Sequence, residues 1–413
     1  MKTFTGFEYL LIDCANHYGL DKLTFEDRIA WGRENLDELE SLTGKAESAY
    51  LFMKSVAAIR KAQLRIPTGH LVALDACCSG MQIMSAITGC ISGAQATGLV
   101  DPDRRADAYT EQTQRMQVIL GSDIHVSRKD AKAALMTSFY GSKEQPKLIF
   151  GEDTPELAAF YQACMEMAPG AYELLQELLD TWQPYALVHA WKLPDGYDAR
   201  VKVMQREETR IEVDELDHAS FTYEYYVNQG SKKGLSNVAN VVHSIDAFIL
   251  REMVRRCNHH GLNIKAINNW LTAAVLERGN QTPGVDYDLL EGEHQYFIEQ
   301  YQRSGQPTAA ILPWLNASNV HDLPIGLLHD LVRITNSMLE YKAFPVVTIH
   351  DSFASHPNNC NWVRHWYKEI LAELADSEIL SDIMSQLHQS PGSYGKLSPD
   401  LSKYIRQSNY ALS

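Results

Sequence analysis

Long apolar runs are missing from this sequence. No window holds 18 uninterrupted apolar residues, so no transmembrane helix is expected. The opening stretch, MKTFTGFEYLLIDC, has one early lysine, and an aspartate interrupts its short apolar run, which makes a secretory signal peptide a poor interpretation. Internal repeats and low-complexity linkers are also lacking. These absences argue against helical membrane proteins and repeat proteins.

Cysteines are few and positive charge is in deficit. The seven cysteines show no paired metal spacing, and Cys77 and Cys78 are adjacent, so reduced thiols in a cytosolic setting are expected. Lysine and arginine number 37 against 52 acidic residues, a net charge of −15, which alone argues against broad nucleic-acid affinity. Two short basic clusters remain: Arg60, Lys61 and Arg65, and Arg128, Lys129 and Lys132. A solvated helix face is the plainer alternative for each cluster.

The composition is that of a globular protein with 413 residues, enough for a core divided over two or three subdomains. Apolar periodicity predicts helices over 25–65, 79–93, 103–120, 127–140 and 237–259. Asp101–Pro102 precede the helix over 103–120 as a start signal, and Ser127 is a plausible N-cap of the helix over 127–140. Buried strands are predicted at 71–75 and 346–349, a turn at 193–198, and a hairpin of 201–213 with 218–227. The pattern indicates an α+β protein with strands grouped around two aspartates.

Two aspartates follow short, β-rich apolar runs. LVAL leads into Asp75, and VVTIH leads into Asp351. Two carboxylates at the ends of neighbouring strands can hold two hard cations, which serves in-line phosphoryl or nucleotidyl transfer. Taken alone, either aspartate is more simply a turn or helix-cap residue.

The predicted helix over 127–140 concentrates polar chemistry on one side. Arg128, Lys132, Met136 and Tyr140 are spaced by four residues, so they should share one helix face, with Gly141 at the helix end. Two cations suit a triphosphate, and the tyrosine can stack under a base or sense a sugar. An amphipathic helix with a solvated basic end is the plainer alternative.

Taken together, these motifs resemble the single-subunit RNA polymerases of phages and mitochondria. DACCSGMQ, from Asp75, resembles the first palm motif of that family, D-x-x-x-S-G-x-Q. RKDAKAALMTSFYG, from Arg128, resembles its fingers-helix motif, and IHDSF resembles its second palm motif. Four further segments resemble the family in the same order along the chain: LLIDCANHYGLDKLTFEDRI, HAWKLPDG, NVVHSIDAF and the C-terminal IRQSNYALS.

The resemblance implies a role for each matching residue. Asp75 and Asp351, with the carbonyl of Ala76, are expected to bind two Mg²⁺ ions. Arg128 and Lys132 are expected to hold the triphosphate, with Lys132 a candidate proton donor to pyrophosphate.

Other expected contacts surround the incoming nucleotide. Tyr140, followed by Gly141, is expected to support the insertion site and check the sugar, and Lys22 is expected to reach the phosphate tail. His243 is expected at the minor groove of the newest base pair, with His350 as a second nucleic-acid contact.

The resemblance also implies a right-hand polymerase fold with palm and fingers and without the promoter-binding domain and thumb. The expected divisions are a helical lead-in and first part of the palm over 1–105, fingers over 106–205, and the rest of the palm over 206–413. That last part includes an acidic, loop-like insertion at about 262–340 and a C-terminal foot. No D/T-x-x-G-R motif precedes Asp75, so we expect the large subunit of an obligate heterodimer whose smaller subunit carries that motif.

The expected partners are that subunit, a DNA template, the RNA product, ribonucleoside triphosphates and an auxiliary factor for promoter recognition, in the cytoplasm of an infected bacterium and without a membrane. A DNA polymerase of the related family is one alternative, but it typically has a glutamate five residues after the first aspartate, where this chain has Gly80. A catalytically degenerate, nucleic-acid-binding scaffold is the other. Such a scaffold should lose its metal ligands first, and this chain keeps both aspartates.

Overall fold

A computed structural model describes residues 1–122, 124–227, 229, 237–279, 287 and 290–413. Within these ranges, no helix is both long and apolar enough to cross a lipid bilayer. All seven cysteines lie in the described ranges, and each is free. Helices dominate, and the strands form small antiparallel sheets, as expected for an α+β protein.

The helices divide into three groups along the chain. The first group precedes the hairpins: α1 Gly6–Ala15, α2 Phe25–Glu34, α3 Ala49–Gln63, α4 Ser79–Thr88, α5 Ile91–Ala96, α6 Ala108–Leu120, α7 Arg128–Ser138, α8 Glu144–Phe150, α9 Pro155–Met167 and α10 Pro169–Asp180. The second follows them: α11 Val238–Cys257, α12 Gly261–Arg278, α13 Glu293–Ser304 and α14 Ile325–Leu339. The third closes the chain: α15 Cys360–Asp376, α16 Ile379–His388 and α17 Leu401–Gln407.

In the described residues, the strands form one three-stranded sheet and two hairpins. The hairpins are β2 Val188–Lys192 with β3 Asp198–Lys202, and β4 Arg206–Val213 with β5 Ala219–Tyr226. The sheet contains β1 Val72–Asp75, β6 Val347–Ile349 and β7 Ser352–Ser355, in the order β1-β7-β6. Both of its pairings are antiparallel, and β7 lies between β1 and β6, the two strands that the aspartate motifs predict.

The buried helix α4 connects this sheet to the core. Every residue of α4 is buried, and the helix packs against α10, α11 and α15. Cys78, at its N-terminal boundary, has a φ of 52°, which turns the chain sharply from β1 into the helix. Gln82 inside α4 donates to the carbonyl oxygens of Thr97 and Ala411 and accepts from Tyr367. The first predicted motif is therefore fixed by a satisfied buried polar network.

Ion pairs hold α11, α14 and α15 together. Arg256 is fully buried and donates to both Glu252 and Glu373, at 3.1 and 2.7 Å. Arg333 on α14 reaches the same Glu373 at 2.8 Å. Since each charge is paired and hydrogen-bonded, the cluster can exist in the interior, and it ties the three helices to one another.

Several predicted boundaries need correction. The helical region 25–65 is broken into α2, a 3₁₀ segment Leu39–Lys45 and α3, and the region 79–93 into α4 and α5. Helix α6 starts at residue 108, where Asp107 caps it, whereas Asp101 only closes a local turn. The hairpin strand begins at Arg206, because residues 201–202 belong to β3.

The predictions of buried strands were partly wrong. Val72 and Leu74 of β1 are buried, but Ala73 and Asp75 are exposed, and Val347 and Ile349 of β6 are exposed. Both strands lie at the edges of a narrow sheet, so one face remains open. The expected loop-like insertion at 262–340 is mostly helical where described, in α12, α13 and α14, while residues 280–286, 288 and 289 of that segment lie outside the described residues.

Candidate active site

The two predicted metal ligands lie next to each other at one end of the sheet. Asp75 ends β1 and pairs in register with Ser352, the first residue of β7. Asp351 immediately precedes Ser352 in the two-residue turn between β6 and β7, and its carbonyl oxygen accepts from the Ala76 amide at 3.2 Å. His350, the other turn residue, has a φ of 54°, as such tight hairpin turns require.

These residues fit the hard cations that the sequence predicts. Neither Asp75 nor Asp351 forms an ion pair with any residue in the described part of the chain. Two neighbouring carboxylates without a cationic partner repel each other, and bound Mg²⁺ would relieve that repulsion. The chemistry and placement of this pair are therefore compatible with a magnesium site.

Helix α7 brings cations to the same region. The N-cap of α7 is Ser127, as predicted, and the Ser127 hydroxyl accepts a hydrogen bond from the Asp130 amide. The Lys132 ammonium lies 5.3 Å from the centre of the Tyr109 ring, and the Arg128 guanidinium lies 5.8 Å from it. Arg128 is also paired with Asp107, Nη2 to Oδ2 at 2.5 Å. The two predicted triphosphate ligands thus flank one tyrosine, and one of them is already bound to an acid.

A cavity of about 590 Å³ connects the two halves of this site. Asp75 and Ala76 lie on its wall, as do Lys22, Arg128 and Lys132, while Asp351 is not among its lining residues. A second cavity of about 890 Å³ adjoins it and shares Lys22 and Arg128. The structure therefore brings Lys22, distant in sequence, beside the cations of α7, although Lys22 also contacts its neighbour Asp21.

Tyr140 does not share the helix face predicted for it. Helix α7 ends at Ser138, and Tyr140 lies in the following turn, where its amide donates to Thr137. Gly141 follows with a φ of 88°, a left-handed conformation that favours glycine. The turn places the phenol of Tyr140 at 3.1 Å from the Ser79 hydroxyl, so the ring faces the first motif rather than the cations.

Gly80 and His243 enclose the Tyr140 ring. A Cβ atom placed on Gly80 would lie 3.0 Å from Cζ of Tyr140, so the glycine permits this close approach. On another side, the ring centre of His243, from α11, lies 4.7 Å from that of Tyr140. Three residues predicted from separate motifs, Gly80, Tyr140 and His243, therefore form one cluster.

Burial tunes the protonation of this cluster. Burial, opposed by the hydrogen bond to Ser79 and reinforced by nearby carboxylates, raises the pKa of Tyr140 to about 12. The phenol therefore keeps its proton at neutral pH and can donate. Desolvation, and then the nearby His350, lowers the pKa of His243, which favours a neutral ring.

Sequence reasoning missed three residues of the site. Tyr109 and Asp107 lie at the start of α6, and Asp246 lies on α11, one turn from His243. Burial, and secondarily repulsion from Asp351, raises the pKa of Asp246 to about 6. The available signals are the short Asp-x-Tyr pattern at the start of α6 and the acid in NVVHSIDAF, a segment in which only the histidine carries a predicted role.

A second acidic group lies elsewhere. Glu212, Asp214 and His218 gather at the exposed tip of the β4–β5 hairpin and are close enough to share an ion. His218 already pairs with both acids, at 2.9 and 3.2 Å. These ion pairs account for the group without a metal.

The C-terminal segment completes the sheet end. Ser413 exchanges backbone hydrogen bonds with Asp75, at 3.0 and 3.3 Å, and Leu412 forms a bridge with Ala76. Tyr410, Ala411 and Leu412 are buried. The segment predicted as a foot therefore buttresses the backbone that presents Asp75.

The family model for DNA-dependent RNA polymerase matches residues 3–146. A mitochondrial DNA-directed RNA polymerase of Arabidopsis thaliana is 31% identical over 173 residues, covering 33% of this chain and 18% of the relative. The polymerase of Enterobacteria phage K11 is 22% identical over 421 residues, covering 77% of this chain and 46% of the relative. The polymerase of Pseudomonas phage phiKMV is 24% identical over 324 residues, covering 64% of this chain and 40% of the relative.

Over these stretches the chain is therefore similar to the DNA-dependent RNA polymerases of phages and mitochondria. The matched family segment contains the first motif, helix α6 and all of helix α7. The chain spans less than half the length of these curated relatives.

Proposed function

We propose that this chain carries the catalytic site of a DNA-dependent RNA polymerase that transfers ribonucleotides to the 3′ end of RNA. The observation that carries the proposal is the adjacency of Asp75 and Asp351, both without an ion-pair partner in the described chain, beside a cavity lined by Lys22, Arg128 and Lys132. Carboxylates for cations and cations for phosphates are the two parts that nucleotidyl transfer requires.

In this proposal, Asp75, Asp351 and the Ala76 carbonyl hold two Mg²⁺ ions, which supply charge stabilisation and lower the pKa of the attacking hydroxyl when bound. Lys132 and Arg128 bind the triphosphate, and Lys22 reaches its far end. Lys132 is exposed and forms no ion pair with any described residue, so its ammonium can approach the leaving pyrophosphate and donate a proton.

Three residues are proposed to select the sugar: Gly80, Tyr140 and Ser79. Gly80 keeps the approach to the ring open, and the protonated Tyr140 phenol offers a hydrogen bond near the ribose. His243 and His350 are proposed to contact the newest base pair. This arrangement favours ribonucleotides over deoxyribonucleotides, and so an RNA polymerase over the DNA polymerase alternative.

The proposed divisions follow the sequence prediction: palm from 1–105 and 206–413, and fingers over 106–205. The smaller subunit carrying D/T-x-x-G-R and the auxiliary promoter factor stay predictions. Helix α3 and its C-cap support a protein partner, because Tyr50 and Met53 of the helix and the C-cap residue Leu64 are 90%, 53% and 71% exposed.

The experiment is Mg²⁺-dependent extension of an RNA primer on a DNA template by the purified chain, with and without a smaller subunit. Template-directed addition of ribonucleotides supports the proposal. A folded protein that binds the hybrid but adds no nucleotide, even with a partner, would favour the degenerate-scaffold alternative.

A further inference from the structure

We propose that the Asp107 carboxylate pairs with Arg128 while the triphosphate site is empty, and that it competes with the phosphates of a bound nucleotide for this arginine. The inference rests on the proposed function, because it concerns the same nucleotide site. Asp107 acts through Arg128, so it is a positioning residue that sets how tightly nucleotide enters and pyrophosphate leaves.

The contacts show how fully Arg128 is occupied. Its Nη2 donates to Asp107 Oδ2 at 2.5 Å, and its Nε donates to the same oxygen at 3.2 Å and to Thr110 Oγ1 at 2.9 Å. Thr110 in turn donates to Asp107 Oδ2 at 2.8 Å. One whole edge of the guanidinium is therefore used within the protein, and that edge is one a phosphate would need for two parallel hydrogen bonds.

Asp107 is also fixed in place. Its other oxygen, Oδ1, caps α6 by accepting from the amides of Tyr109 and Thr110 at 3.1 and 3.3 Å. The carboxylate cannot swing away without uncapping the helix, so phosphate must displace Arg128 from it or share the arginine with it. Arg128 is accessible for either, since 38% of its side chain is exposed.

The charges give the sign of the effect. Asp107 lines both cavities, so its negative charge opposes a polyphosphate there while it also satisfies the arginine. After pyrophosphate departs, the carboxylate takes Arg128 back, which favours release. Removal of this charge should therefore tighten polyphosphate binding and slow product release. Loss of a residue that binds the polyphosphate would have the opposite effect.

Asp107→Asn removes the ion pair with Arg128 but keeps the cap of α6, because asparagine is also a good helix N-cap. Glu111→Gln is the matched control: Glu111 lies one turn further along α6 and lines the larger cavity, but it pairs with Arg104 and Arg115 instead. Both changes remove one negative charge from the same helix. Only the first one frees Arg128.

The test uses the full chain, in the complex with its partner if one is needed. Binding of magnesium pyrophosphate and of MgATP is measured by calorimetry, and KM, kcat and pyrophosphate inhibition are measured during primer extension. For Asp107→Asn we expect dissociation constants to fall roughly two- to tenfold, as for a part-exposed charge pair, with a lower KM and an unchanged or lower kcat. Adding Asp107→Asn to Arg128→Ala should tighten binding less than Asp107→Asn does in the wild-type protein, because no arginine is left to be freed.

Each result decides one question. Unchanged or weaker polyphosphate binding in Asp107→Asn, an equal tightening in Glu111→Gln, or no pyrophosphate binding by the wild-type protein overturns the inference. A KM that rises while kcat falls would instead show a merely structural residue, which also overturns it. Tighter binding without any primer extension supports the Asp107 inference and overturns the polymerase proposal, so the two failures are distinguishable.

Discussion

Sugar discrimination should depend on a single contact between two motifs that are distant in sequence. The Tyr140 phenol lies 3.1 Å from the Ser79 hydroxyl, and the ring rests against Gly80. Tyr140→Phe removes the hydroxyl while the ring keeps its contacts with Gly80 and His243. We therefore expect the variant to accept deoxynucleotides more readily with little loss of stability.

The expected change in sugar preference corresponds to the one neutral hydrogen bond that the Tyr140 phenol is proposed to offer near the ribose. Such a bond is worth about 0.5–1.5 kcal/mol net, so the preference for ribonucleotides should fall roughly 2- to 12-fold in Tyr140→Phe. Gly80→Ala perturbs the same contact differently. Its methyl group would lie 3.0–3.3 Å from Tyr140 ring and hydroxyl atoms, so the ring must shift by a few tenths of an ångström, and ribonucleotide use should fall. The larger Gly80→Glu should impair it more.

The assay is single-nucleotide extension of a primed hybrid, with kcat/KM measured for a ribonucleotide and its deoxy counterpart. Gly69→Ala is the control for the glycine change, because a methyl group there meets nothing within 4 Å. Because Gly80 and Tyr140 touch, the double variant should be non-additive. Equal use of both sugars by the wild-type enzyme, or unchanged discrimination in Tyr140→Phe, would refute the reasoning and revive the DNA polymerase alternative.

Three further predictions concern stability and assembly. Burial lowers the pKa of His365 to about 4, so below neutral pH the unfolded chain binds a proton that the folded chain excludes. The free energy of unfolding, measured by urea titration, should therefore fall by roughly 2–3 kcal/mol from pH 7 to pH 4, and it should depend less on pH in His365→Phe. Glu373→Gln leaves the buried Arg256 short of a charge and should cost about 3 kcal/mol in the same assay, whereas a loss below about 0.5 kcal/mol would contradict the ion-pair account. Replacing Tyr50 and Leu64 by serine should reduce self-association of the isolated chain in light scattering, and unchanged scattering would argue against an apolar docking face on α3.

The sequence predicted the positions of several site residues better than it predicted the bounds of the elements around them, while the roles of those residues stay predictions. Asp75 and Asp351 follow recognisable apolar runs, and Ser127 has the position and chemistry of an N-cap, so local patterns placed all three correctly. The proximity of Gly80 and Tyr140 came from the resemblance, since nothing local joins two residues 60 positions apart.

The errors have physical reasons. Tyr140 continues the four-residue spacing of α7, but the helix ends two residues earlier and Gly141 reverses the chain, which sends the ring elsewhere. Asp107 was hidden inside a predicted helix because Asp101–Pro102 resembles a start signal equally well. Its pairing with Arg128 depends on how α6 packs against α7, which a single sequence does not encode locally.

The most direct test of the central claim is Mg²⁺-dependent ribonucleotide addition by Asp75→Asn and Asp351→Asn, each compared with the exposed Asp37→Asn. Loss of a metal ligand removes several kcal/mol of transition-state stabilisation, so both site variants should lose at least about a thousandfold in rate while melting normally. Asp37→Asn should keep wild-type activity. A turnover within about tenfold of wild type in either site variant would contradict the two-carboxylate mechanism.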